Sequence, residues 1–137
     1  MDMSMRWILG SVVPALLGVC GMAIAHHGTA GSYDHDKVVT LNGIVKEFRW
    51  RNPHSALFLV CKDATGNDVT YAIEMGSPNT LARAGMRRDS IKPGDAMTIK
   101  VYPSFTNPQN GVGASRSTMV INGKQWLPVD GDNGEVP

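Results

Sequence analysis

The segment Val69-Thr70-Tyr71-Ala72-Ile73-Glu74-Met75 constrains the fold more than any other stretch. Its large apolar residues fall at every second position, the period of a strand that buries one face. The pattern stops at Ser77-Pro78, and Gly85 follows seven positions after the proline. Ser at the N-cap, Pro at N1 and Gly at C′ delimit a short helix. Leu81, Ala82 and Ala84 are its apolar residues. Arg83, Arg87 and Arg88 lie toward its C-terminal end, where cations complement the helix dipole. The chain is therefore built from strands with one helix inserted.

The remaining segments fit that frame. Residues 39–50 read as a long first strand with two apolar parities, Leu41 and Val45 on one and Ile44, Phe48 and Trp50 on the other. Gly43 is the expected place for a bulge or coil that switches the buried face. Asn52-Pro53 breaks the strand. Residues 55–62 form a continuous apolar run, expected to be a central strand. The turn Asp63-Ala64-Thr65-Gly66-Asn67-Asp68 joins it to the alternating segment. After the helix, Pro93-Gly94-Asp95 is a turn and residues 97–102 a fourth strand. Residues 103–114 read as a loop rich in Pro, Asn and Gly, and residues 117–121 as the fifth strand. Asn122-Gly123 is a hairpin turn, with residues 124–127 returning as a short extra strand. The order strand, strand, strand, helix, strand, strand predicts an all-β chain with one short helix, a small OB-fold-like five-stranded barrel. A small β-sandwich is the alternative.

Residues 1–25 stand apart from this pattern. Arg6 closes a short polar start, residues 7–19 are almost wholly apolar, and Ala23 and Ala25 occupy the −3 and −1 positions of a cleavage site. This predicts a signal peptide cut after Ala25 and a periplasmic or secreted protein. An uncleaved anchor is the weaker reading, because Pro14 and three glycines interrupt a stretch marginal against the roughly 20 residues a spanning helix needs. Lipidation at Cys20 is weaker still, with Val19 bulky where a small residue is usual. Cleavage would leave 112 of 137 residues, enough for one domain. The expected organisation is an arm over 26–38, a barrel over 39–128 and a polar tail over 129–137.

Composition narrows the partners. The formal net charge is +1, and only Asp2 and Arg6 fall in the leader. Such a balance argues against a nucleic-acid surface and against a polybasic membrane patch. The membrane is expected to be met only through the leader during export. A metal ion or one small ligand is the expected partner. Cys61 alone remains after cleavage, so no internal disulfide forms, and it reads as a small buried hydrophobe.

Four histidines carry the candidate chemistry: His26, His27, His35 and His54. Cleavage after Ala25 frees the α-amine of His26, which then chelates through amine and imidazole together. A second imidazole completes a nitrogen set suited to Cu(II), which prefers tetragonal nitrogen ligands. In the precursor that nitrogen is an amide and a poor donor. His26, His27 and His54 are the candidate metal ligands, with Cu(II) the expected ion. The rival reading is a module without metal that grips a small molecule or a protein through Trp50, Asn52, Tyr71 and Glu74 beside His54, at the loop between strands one and two that borders the usual OB binding face. Glu74 is also placed to pair with Arg83 or Arg87. No Ser-His-Asp, Cys-His or paired-carboxylate set can be assembled from neighbouring motifs, so no catalytic residue is assigned and binding is favoured over catalysis.

One further signal is the succession Ala25-His26-His27-Gly28, Val39-Thr40-Leu41-Asn42-Gly43, Trp50-Arg51-Asn52-Pro53-His54, Glu74-Met75-Gly76-Ser77-Pro78-Asn79, Arg87-Arg88-Asp89 and Lys92-Pro93-Gly94-Asp95. It resembles a group of small exported bacterial proteins classified only as a domain of unknown function. The likeness runs over about residues 26–121. The family's paired His, Asn-Pro-His and Glu-x-Gly-Ser-Pro fall here on His26, His27, His54, Glu74, Gly76, Ser77 and Pro78. The resemblance implies that His26, His27 and His54 belong to one site, and it carries no activity. Members typically continue the His pair with Ser and Phe; this chain has Gly28-Thr29, without that aromatic anchor.

Overall fold

The computed structural model describes residues 31–114 and 119–126. Its strands are β1 (Val39–Arg49), β2 (Ala56–Lys62), β3 (Asp68–Glu74), β4 (Ala96–Pro103), β5 (Asn110–Gly113), β6 (Met119–Ile121) and β7 (Lys124–Trp126), with helix α1 (Pro78–Arg83) between β3 and β4. The sheet runs β1-β2-β3-β5-β4, and β4 returns to pair with β1. That ring is a closed five-stranded barrel, not two facing sheets. The β3–β5 pairing is parallel and the other contacts around the ring are antiparallel.

The long first strand makes closure possible. β1 pairs with β4 through Val39–Ile44 and with β2 from Gly43 to Arg49. At Gly43 the chain pairs with Met97 of β4 and lies close to β2: a Cβ there would lie 2.3 Å from the Val60 carbonyl oxygen. The switch of buried face lies elsewhere than expected. Gly43 stays in register, and the register shifts between Val45 and Glu47. Leu41 and Val45 are buried before the bulge, while Phe48 and Trp50 pack half-buried on the core after it. The Pro93-Gly94-Asp95 turn braces the bulge. Gly94 donates its N–H to the Val45 carbonyl, and Val45 donates to that of Asp95.

The fifth barrel strand also departs from expectation. It is Asn110–Gly113, inside the stretch read as a loop, while Met119–Ile121 from the expected fifth strand is β6. Both lie along one edge of β4: Val101 pairs with Gly113, and Thr98 with Val120. β5 wins the barrel position because its Gly-Val-Gly residues, all buried, fit the narrow space between β3 and β4. The Asn122-Gly123 turn connects β6 to β7 with both residues at positive φ, 48° and 81°, the signature of a type I′ turn.

Leu57, Leu59, Ile73 and Ile99 fill the barrel, each with at most 1 % exposure. Leu81, Met86 and Ile91 join the same cluster from α1 and the segment after it. The helix forms where its caps place it. Ser77 Oγ accepts from the Thr80 amide at 3.2 Å, Pro78 opens the first turn, and Gly85 sits at φ 84°. Gly85 and Met86 donate back to the carbonyls of Ala82 and Leu81, both at 3.0 Å, a Schellman closure. Its hydrophobic pair, Leu81 and Met86, is buried. Cys61 is buried on β2, and burial pushes its thiol pKa up. Among the described residues no helix is long and apolar enough to cross a membrane.

Candidate functional site

A pocket of about 540 Å³ opens between the β1–β2 loop, the outer face of β2 and β3, and the start of β5. Its floor is low because small residues, Ala56 and Ala72, point outward from β2 and β3. Its walls carry Tyr33, Arg51, Asn52, His54 and Glu74. The volume is within the range of small-molecule sites. The position, on the β2–β3 face and beside the β1–β2 loop, is the one OB-type barrels use for ligands.

The loop is fixed from both sides. The Asn52–Pro53 peptide is cis. Ser55 donates its N–H to the Gly76 carbonyl at 3.1 Å, and Met75 donates to the Ser55 carbonyl at 2.9 Å. These two bonds draw the loop's exit alongside the end of β3, where Ala56 pairs with Glu74. His54 is thereby set against Glu74. Its Nδ1 lies 2.7 Å from Glu74 Oε1. That nitrogen is buried, and its approach to the carboxylate falls outside hydrogen-bond geometry. Both side chains are about one-third exposed. The ring's other nitrogen, Nε2, is not engaged by Glu74. Ser55 Oγ is fully buried without a hydrogen-bond partner among the described residues.

The second oxygen of Glu74 is taken by the arm. Tyr33 Oη donates to Oε2 at 3.0 Å, across 41 positions of sequence. Burial first, and the Glu74 carboxylate second, push the Tyr33 phenol up to about 12. It is a neutral donor at any physiological pH. The arm around it is fastened to the end of β4. Asp34 donates its N–H to the Pro103 carbonyl at 2.9 Å, Phe105 donates to that of Ser32 at 3.1 Å, and Tyr33 bridges to Ser104. His35 stacks on Tyr102 with ring centroids 4.4 Å apart.

The fold brings some of the candidate residues together and separates others. His54, Asn52 and Glu74 line one pocket. Trp50 packs on the core, edge-on to Phe48 at 6.0 Å. Tyr71 also packs on the core and lines a different groove, shared with residues 39–44 of β1. Glu74 meets Tyr33 and His54 rather than Arg83 or Arg87. His26 and His27 lie outside the described residues, as do the leader and the tail. Among the described residues no group of three or more His, Cys, Asp or Glu is arranged to hold a metal ion. His54 and Glu74 are two candidate donors. Tyr33, Arg51 and Asn110 were not singled out by sequence. An aromatic alone in a polar, glycine-rich arm is the one signal that marks Tyr33.

Neither the curated proteins nor the solved structures contain a match to this chain. One family model does match, over residues 15–114, from within the apolar N-terminal stretch to the end of β5 and Ala114 beyond it. That span is most of the chain and includes His26, His27, Tyr33, His54 and Glu74: the protein belongs to a family of unknown function, DUF6152.

Proposed function

We propose that the protein is an exported periplasmic copper-binding module. Cleavage after Ala25 frees the amine of His26; that amine, the imidazoles of His26 and His27, and Nε2 of His54 hold Cu(II). The observation that carries the reading is the contact of Glu74 with Nδ1 of His54, which leaves Nε2 as the nitrogen for a metal. Carboxylates that accept a hydrogen bond from a histidine's far nitrogen fix ring orientation and tautomer at metal sites, and Glu74, 2.7 Å from Nδ1, stands within reach of that bond. Glu74 is then the group behind the ligand rather than a ligand itself. The arm supports the same reading, since its described part runs to the rim of this pocket. The role is binding, and the membrane is involved only while the leader directs export.

Isothermal titration of the chain beginning at His26 tests this. It should take up one Cu(II) per chain. One extra residue before His26, or His54→Ala, should weaken binding at least tenfold. Equal affinity in all three proteins would overturn the site. Native mass spectrometry of protein purified from the periplasm checks the cleavage and any retained metal together.

A second reading is favoured by the size of the pocket and by the unpartnered hydroxyl of Ser55 beneath it. In that reading the module binds a small molecule without metal, through Asn52, His54 and Glu74. Chelators would then leave ligand capture unchanged, while Glu74→Ala would reduce it.

A further inference from the structure

The two charged walls of the pocket beside His54 are unequally committed. Glu74 is engaged at both oxygens: Oε2 accepts from Tyr33, and Oε1 lies 2.7 Å from His54 Nδ1. Arg51 lines the same pocket, yet among the described residues its guanidinium has no hydrogen bond and no ion pair. Nearby Arg49 is the contrast, since two bonds of 2.6 and 2.8 Å tie it to Glu47 and it lies over the Phe58 ring. The side-chain amides of Asn52 and Asn110, in the same lining, are likewise unbonded among the described residues. The pocket therefore leaves a cation and two amides for a ligand to answer, while its one carboxylate is already answered. We propose that this pocket binds a small organic carboxylate, with the Arg51 guanidinium as its anion anchor. The proposal rests on the small-molecule reading of the site, which it deepens, and it needs no copper.

Three features set the class of ligand. A guanidinium presents a planar fork of N–H donors that meets a carboxylate at two points, which a neutral ligand cannot reproduce. The floor of Ala56 and Ala72 is apolar and carries no large side chain, so it accepts a compact apolar body, and about 540 Å³ holds such a body together with its carboxylate. Glu74 limits the ligand's charge. A phosphate monoester carries about −1.5 to −2 at pH 7, and the charge beyond the first meets no second cation in the lining, only repulsion from Glu74. A carboxylate brings the single charge that Arg51 neutralises. Arg51 is exposed, so it is open to a ligand arriving from solvent, and its replacement leaves the core untouched.

Amide chemical shifts of the whole chain, kept free of metal with EDTA, test the proposal. The probes are benzoate, benzamide as its neutral isostere, and phenyl phosphate. Benzoate should shift the Ala56, Ala72 and Asn110 amides saturably, and benzamide and phenyl phosphate should bind at least tenfold more weakly. Arg51→Ala should weaken benzoate at least tenfold and leave benzamide unchanged. Arg51→Lys, which keeps the charge and loses the fork, should fall between. Benzamide binding as tightly as benzoate, or benzoate binding unaffected by Arg51→Ala, would overturn the carboxylate assignment and leave the small-molecule reading standing. An equal loss of benzoate and benzamide in Arg51→Ala would make Arg51 a structural residue and overturn its role as anchor. Phenyl phosphate binding more tightly than benzoate would overturn the limit that Glu74 sets on charge, and with it the choice of a carboxylate. Silence of all three amides toward every probe would overturn the small-molecule reading and the proposal together.

Discussion

The closure of the barrel turns on Gly43, and Gly43→Ala tests whether the β1–β2–β4 crossing is as tight as the structure has it. The added Cβ would lie 2.3 Å from the Val60 carbonyl oxygen, 2.8 Å from Cys61 Sγ and 2.9 Å from the Val60 carbonyl carbon. Two of these are backbone atoms, which no rotamer change can move aside. β1 must therefore back away from β2 by most of an ångström, and Gly43 is paired with β4 on its other side, at Met97. Without a clash, Gly→Ala at a strain-free position stabilises by about 0.4–1 kcal/mol, so the sign of the effect is itself diagnostic. Overpacking of this kind costs about 1–3 kcal/mol. Weakened β1–β2 hydrogen bonds add about 0.5–1.5 kcal/mol each. A loss of about 2–4 kcal/mol follows, against a total stability on the order of 5–15 kcal/mol. For a domain of this size, each kcal/mol lowers Tm by about 4–8 °C.

Thermal unfolding followed by circular dichroism of the chain beginning at His26 measures this. Gly31→Ala is the control, since a Cβ there meets nothing within 4 Å. The control should be unchanged or stabilised by up to about 1 kcal/mol relative to the parent chain. If Gly43→Ala unfolds within that margin as well, the close approach at the crossing is wrong, and the closed barrel loses its main local support.

Other perturbations have defined outcomes. Leu81 is the one buried residue of α1, and Leu81→Ala should cost about 2–4 kcal/mol in urea unfolding, with an unchanged m-value. The hydrogen bond from Thr65 and those from Asn67 and the neighbouring backbone hold the Asp63 carboxyl below its usual range. Its contribution is therefore present above the unfolded-state value near pH 4 and lost as pH falls through the lowered folded value; Asp63→Asn should show a shallower fall of Tm on acidification. Tyr33 has the opposite sign: raised to about 12, it supports the fold fully below pH 10 and loses that support between pH 10 and pH 12. Ultraviolet titration of Tyr33→Phe should lack the phenolate transition near pH 12 that the parent chain shows.

What could be read from the sequence divides along a physical line. Signals that act within a few residues were legible: the alternation of β3, the Ser77, Pro78 and Gly85 punctuation of α1, and the Asn122-Gly123 turn all carry their cause in their own side chains or φ preferences. β5 was not, because Asn110–Gly113 holds one large apolar residue and no alternation. It is a strand because β3 and β4 offer it two ladders and because glycine fits between them; a Cβ on Gly111 would meet the Tyr102 carbonyl oxygen and the Val101 side chain, all at 3.2 Å. Gly43 was expected at a bulge because glycines mark bulges, yet it is needed for approach, and the bulge falls at Val45–Glu47 with no residue that advertises it. The site follows the same division. His54 and Glu74 were each marked by residue type and by position at a strand end. Their contact depends on two loop-to-strand backbone bonds, and the third partner, Tyr33, reaches Glu74 from 41 positions away. A carboxylate that braces a histidine through one oxygen and fastens an arm through the other is a property of the closed barrel. Any test of function that changes Glu74 therefore changes two elements at once, and variants of Tyr33 and His54 are needed to separate them.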